Sequence, residues 1–232
     1  LVVTKKRLGV RESTATARIG NRFLEGKDAE FHTHPQFINE SISKLNNALS
    51  EGRYFYVDIL AQGIVLYDSG EYQLATPRDL NYPEIRKMAQ KYYNNRFIEA
   101  SRFFETAKFN YLKEWYVIAS FQLHQATENF IKTIPLVYIL YGHKEHDLEL
   151  LIEKCKPYTL ELSKVFPRDT PEEERLFRLL QRAYVEARYN DDFVVTKEDI
   201  DALMPKVERL RDITEKICCD RIAEYNRLSR QP

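Results

Sequence analysis

Three residues with different chemistry stand four apart: His124, Glu128 and Lys132. On a helix, that spacing puts an imidazole, a carboxylate and an ammonium on one face. They belong to Leu123-His124-Gln125-Ala126-Thr127-Glu128-Asn129-Phe130-Ile131-Lys132, part of the most apolar helical pattern in the chain. Polar groups buried there need partners. A second stretch offers them: Arg182-Ala183-Tyr184-Val185-Glu186-Ala187-Arg188-Tyr189, with Tyr184 and Arg188 again four apart. If the two helices face each other, they form a polar slot. Arg188, Arg182 or Lys132 would meet phosphate oxygens, His124 and Glu128 would supply hydrogen bonds, and Tyr184 and Tyr189 would stack on a base. The same residues suit a buried network that fixes helix register, with His124 and Glu128 satisfying Arg188.

Other candidates carry less. His32-x-His34 places two imidazoles on one face of a strand, as a metal pair needs, but no third ligand is identifiable. His143-x-x-His146 is a second pair, and His146-Asp147 reads better as a helix entrance. Cys218 and Cys219 are adjacent and would bridge only with strain, so they read as packing residues. No Gly-rich phosphate loop and no serine-nucleophile motif occurs. No catalytic residue and no metal ligand is assigned.

Composition narrows the classes. The 232 residues carry 35 basic and 35 acidic side chains, so no net field draws the chain to nucleic acid. Charged residues at 30% and apolar ones at 44% describe a globular chain. Only 7 glycines occur, which favours long helices over tight turns. Three cysteines, Cys155, Cys218 and Cys219, make no disulfide framework, and a reducing cytosol is the expected compartment. The longest apolar run, 134–141, is too short to span a bilayer.

The elements that must position these groups fall into two grammars, an α+β arrangement. Residues 1–78 read as strand, helix, strand, helix, strand. The strands are Leu1-Val2-Val3-Thr4, 29–35 and the apolar run 63–68; a helix carries Ile38, Ile42, Leu45 and Leu49 and stops at Glu51-Gly52. The chain opens on a β-branched run, which predicts a start inside a domain. Residues 79–232 read as helix throughout. A long amphipathic helix follows Pro83-Glu84, and a more apolar one covers 114–141, with a kink at Pro135 and a stop at Gly142. A short helix follows Asp147, one opens at Thr170-Pro171, and a last one at Thr196. The expected architecture is an up-and-down bundle of about five helices.

Residues 85–228 resemble the HEPN family, the higher eukaryote and prokaryote nucleotide-binding domains. The matching features are the long first helix, Phe121-x-Leu123-His124-Gln125-Ala126-x-Glu128, the step from Gly142-His143 to His146-Asp147-Leu148 and Leu151, and Ala183-Tyr184-x-x-Ala187-Arg188-Tyr189. The resemblance implies a dimeric helical bundle that binds nucleotides, and in many members a metal-independent RNA-cutting toxin. Cutting members carry a histidine about five positions after the arginine. Here Arg188 is followed by Tyr189-Asn190-Asp191-Asp192-Phe193-Val194, so the resemblance implies the binding, non-cutting branch and an ATP- or GTP-like ligand.

Residues 1–78 look like the rear half of a kanamycin-type minimal nucleotidyltransferase domain. The opening strand, Glu51-Gly52-x-x-Phe55-x-x-Asp58-Ile59 and Gly63-Ile64-Val65-Leu66-Tyr67-Asp68 carry this likeness. That family's Gly-Ser turn and metal-binding aspartates precede or begin the first strand and are not in this chain. The likeness implies that Mg2+ would bind only with that front part, and that the intact protein would transfer a nucleoside monophosphate to a small molecule or partner.

Overall fold

A computed structural model describes residues 1–6, 10–24, 37–142 and 145–230. The predicted strand at 29–35, the His32-x-His34 pair and His143 lie outside the described residues. The chain divides into two units, Leu1–Leu80 and Asn81–Pro232.

In the first unit, β1 (Val2–Thr4) and β2 (Asn39–Ser41) pair in parallel, Val2 against Asn39 and Thr4 against Ser41. Parallel neighbours need a crossover, and α1 (Val10–Leu24) lies between them in sequence. Helix α2 (Ile42–Ser50) starts where the Ser41 hydroxyl accepts the Lys44 N–H, and it buries Leu45, Ala48 and Leu49. It ends at Glu51-Gly52. Gly52 has φ +67, and a Cβ there would stand 2.5 Å from the Arg78 carbonyl oxygen, so only glycine fits. Helix α3 (Tyr54–Gln62) follows. The Asn46 amide then fastens the returning chain, donating to the Gln73 carbonyl and accepting from the Ala75 N–H.

The predicted strand at 63–68 is absent. The segment has no regular structure, and Ile64, Val65, Leu66 and Tyr67 are 75–94% exposed. A short apolar run becomes a strand only beside a pairing edge, and among the described residues the sheet consists of β1 and β2 alone. Among the described residues, the first unit therefore holds two short strands and three helices.

The second unit is a helical bundle of α4 (Tyr82–Leu112), α5 (Tyr116–Tyr138), α6 (Leu148–Cys155), α7 (Pro171–Tyr189) and α8 (Lys197–Leu228), with a 3-10 turn at Glu161–Lys164. The described residues thus hold eight α-helices in all, more than the five expected, the surplus being α1–α3. Side chains in the sequence set four of the five starts in the bundle, α5 having no side-chain cap. Asn81, Thr170 and Thr196 form capping boxes with Glu84, Glu173 and Asp199, and the Asp147 carboxylate accepts the Leu150 N–H at the head of α6. Helix α5 packs against α4, α6, α7 and α8, which is why it is buried on nearly every side, polar residues included. Leu123, Phe130, Ile131 and Ile134 on it are fully buried, each contributing about 1.5–3 kcal/mol.

Two predicted boundaries move. Helix α5 ends at Tyr138, not Gly142, and Pro135 falls in its last turn. Past the proline, the Ile139 N–H closes on the Pro135 carbonyl and Leu140 takes φ 58, so the reversal falls on Leu140. At the other end, Glu114 takes φ 61 in the turn from α4, and α5 starts at Tyr116. No helix among the described residues is long and apolar enough to cross a membrane.

Candidate functional site

Helical spacing places His124, Glu128 and Lys132 on the flank of α5 that meets α7 and the entrance of α6. The Glu128 carboxylate is the centre. It is 5% exposed, and such a charge needs partners. Its Oε1 accepts from Lys132 Nζ at 2.7 Å. His146 Nδ1 lies 3.2 Å from Oε1 and 3.1 Å from Oε2. His124 Nδ1 stands farther off, 3.9 Å from Oε2. Burial alone would raise the Glu128 pKa, but the hydrogen bonds from Lys132 and His146 outweigh it and hold the carboxyl below its usual range.

His124 behaves oppositely. Its ring is fully buried, and burial pushes its pKa down to about 4, against the partial opposition of Glu128 and the His146 backbone. The ring is therefore neutral at pH 7. The Gln125 amide Nε2 lies 3.3 Å from Nδ1, while Nε2 is buried without a hydrogen-bond partner. With its proton on Nε2, the neutral ring accepts the Gln125 amide and keeps one buried donor unmatched.

Tyr184, from α7, joins the imidazoles. Its ring lies 4.7 Å from that of His146 at an interplanar angle of 12°, and 5.1 Å from that of His124 at 30°. One turn on, the Arg188 guanidinium sits 4.6 Å from the Tyr184 ring, 5.0 Å from Tyr189 and 5.4 Å from Phe121. Its Nε donates to the Tyr184 carbonyl at 2.8 Å. No carboxylate among the described residues bonds to it. A cation placed among aromatic rings, with unmatched N–H groups at an exposed position, is a receptor for an oxyanion.

The structure thus brings together His124, Glu128, Lys132, Tyr184 and Arg188. Tyr189 stands at the rim, 75% exposed. Arg182 stays apart: it faces Glu186 at 3.6 Å and lies over Phe193. Two sequence assumptions change. Lys132 is paired with Glu128, so it is no free phosphate ligand, and Glu128 serves Lys132 and His146 where Arg188 was the expected partner. Sequence reasoning did not assign His146 or Phe121 to the site. Asp147 as a cap had already fixed His146 one residue ahead of the cap of α6, but nothing local shows that α6 enters beside Glu128.

No group of three His, Cys, Asp or Glu side chains among the described residues could hold a metal ion. A separate cleft of about 430 Å³ at the start of α5 is lined by Glu114, Trp115, Tyr116, Val117, Ile118 and Val195. It is mainly apolar and holds none of the cluster above. In comparison with known proteins, the HEPN domain family matches residues 93–217, more than half of the chain. None of the curated proteins matches it.

Proposed function

The chain belongs to the HEPN domain family, a family linked to nucleotide binding or RNase activity, and on that premise we propose that its helical unit is a nucleotide- or polyphosphate-binding module that does not cut RNA. One observation carries the reading. Arg188 presents its guanidinium over Tyr184, Tyr189 and Phe121 with no carboxylate bonded to it, whereas Arg175 and Arg178 on the same helix are each engaged by two acids. A phosphate supplies the missing charge, the tyrosines supply a stacking surface, and the buried His124 supplies a donor. RNA-cutting members of the family carry a histidine about five positions after the arginine, and 189–194 contain no histidine. Self-association through the helical unit accompanies this reading, because Phe109, Leu112, Trp115 and Val194 are exposed apolar side chains.

Calorimetry of the purified chain with ATP and with GTP tests the proposal. Saturable heat is expected with at least one of them, weakened about 10-fold or more in Arg188→Ala through loss of a charge-assisted pair. No heat with either nucleotide overturns it.

A second reading concerns the intact polypeptide as a nucleotidyltransferase that moves a nucleoside monophosphate. Its support is the parallel β1–β2 pair with α1 between them in sequence, the crossover unit of an α/β sheet. Mg2+ would be held by aspartates ahead of β1. The coding sequence before Leu1 decides this reading: paired aspartates near a Gly-Ser turn support it, and a start codon directly before Leu1 removes it.

A further inference from the structure

The contacts of His146 are those of a nucleobase. Its ring lies nearly parallel to Tyr184, 4.7 Å away. Its Nδ1 lies almost equally far from the two oxygens of one buried carboxylate. A flat heteroaromatic ring, stacked on a tyrosine and giving an N–H to a carboxylate, is how a base is held by its edge. Deepening the nucleotide-binding reading, on which this rests, we propose that Glu128 reads the donor edge of guanine stacked on Tyr184, and that His146 is the internal occupant the base displaces.

The chemistry of Glu128 selects the base. An ionised carboxylate only accepts hydrogen bonds. Guanine offers two adjacent donors, N1–H and the 2-amino group, which match two oxygens side by side. Adenine and cytosine each set an amino donor beside a ring nitrogen whose lone pair would oppose the second oxygen. Uracil has one N–H between two carbonyls. Lys132 keeps Oε1 occupied at 2.7 Å, so the carboxyl stays ionised when His146 leaves. Guanine would thus meet an acceptor pair already charge-balanced from the side.

His146 is free to leave. Its side chain is 51% exposed, so water replaces what it loses. Helix α6 does not depend on the imidazole: the Asp147 carboxylate caps it through the Leu150 N–H, and the Gln181 side chain accepts the Leu148 N–H at 2.7 Å. Arg188, 4.6 Å from the same tyrosine ring, stands ready for the phosphates of a base seated there. An internal occupant scales the apparent affinity down to the fraction of time that it leaves the slot open.

Calorimetry on the full chain with GTP and with ATP, in wild type, His146→Ala and Glu128→Gln, decides the matter. His146→Ala should bind GTP about 10-fold tighter than wild type while ATP changes less than about 3-fold. Glu128→Gln, checked for wild-type circular dichroism, should bring the GTP-to-ATP preference close to one, because an amide offers both a donor and an acceptor. Should Glu128→Gln fold poorly, His146→Ala decides alone. Equal tightening of both nucleotides, or unchanged GTP affinity in His146→Ala, overturns the guanine assignment and leaves nucleotide binding standing. If neither nucleotide binds to wild type or to His146→Ala, both proposals fall together.

Discussion

The helical unit buries two carboxylates at helix contacts, and they are held in different ways. Asp199 is 3% exposed. Its Oδ2 accepts the Thr196 N–H at 2.9 Å within a capping box, and its Oδ1 accepts from Arg175 at 2.5 Å. These donors are a backbone amide and a guanidinium that never loses its charge. Glu128 is as deeply buried, yet its donors are an ammonium on a flexible stem and an imidazole on a loop. The first carboxylate is a fastener between α7 and α8. The second is attended by a group that can leave. Burial of a charge thus does not by itself distinguish a staple from a site; the mobility of its partners does.

The largest expected effect comes from emptying the second centre. Glu128→Ala leaves Lys132, only 12% exposed in its side chain, without its counter-charge on an apolar helix. Urea denaturation should show a loss of about 3–5 kcal/mol, the cost of breaking a buried pair from one side. Adding Lys132→Met to the same chain should recover more than half of that loss. If the double variant is as unstable as the single one, the pair is not what the alanine disrupts.

Acid should act next, through His124. Its folded pKa, about 4, lies below the ordinary value near 6.5, so between those values the unfolded chain binds a proton that the folded chain refuses. Stability therefore rises with pH across this window and is complete above about 6.5, with roughly 3 kcal/mol in play. Glu128, held below its usual range, adds the same sign only once the pH drops under about 4.5. Denaturation at pH 7, 6 and 5 separates the two. His124→Gln should flatten the slope over that interval, and an unchanged slope would place the titrating group elsewhere.

Arg175→Ala tests the fastener. The guanidinium is 49% exposed in its side chain and also serves Glu172, so solvent reaches the vacated place and the cap at Thr196 remains. A loss of about 2 kcal/mol is expected in urea, with nucleotide affinity unchanged. Lost affinity would mean that the two carboxylate centres are coupled through α7.

How much of this was visible in the sequence follows the range of each interaction. The caps at Asp147, Thr170 and Thr196 are local, and all three appear where the residue pattern places them. The 124/128/132 stripe and its meeting with Tyr184 follow from periodicity plus one assumption, that the two polar faces point at each other. His146 did not follow, because it reaches Glu128 across 18 residues from a loop that has no period. The run 63–68 misled for a related reason: an apolar string resembles a core strand whether or not a partner edge exists, and in this structure it is exposed. Helix α5 ended early because a proline and a left-handed Leu140 act together, and the sequence pointed only to Gly142.

The smallest effect is the sharpest test of the comparison. His146→Ala removes two contacts to a buried carboxylate and a stacked ring, which on a count of contacts should cost as much as Arg175→Ala. A loss of no more than about 1.4 kcal/mol is expected instead, the equivalent of a 10-fold occupancy of the slot, since Lys132 still balances Glu128 and a half-exposed imidazole is replaced by water. The measurement is the urea midpoint at pH 7 for the two variants side by side. Equal losses would make His146 as structural as Arg175 and Glu128 a second fastener. A smaller loss in His146→Ala than in Arg175→Ala would mean that the imidazole rests on the carboxylate without fastening the fold, which is the condition a displaceable occupant must meet.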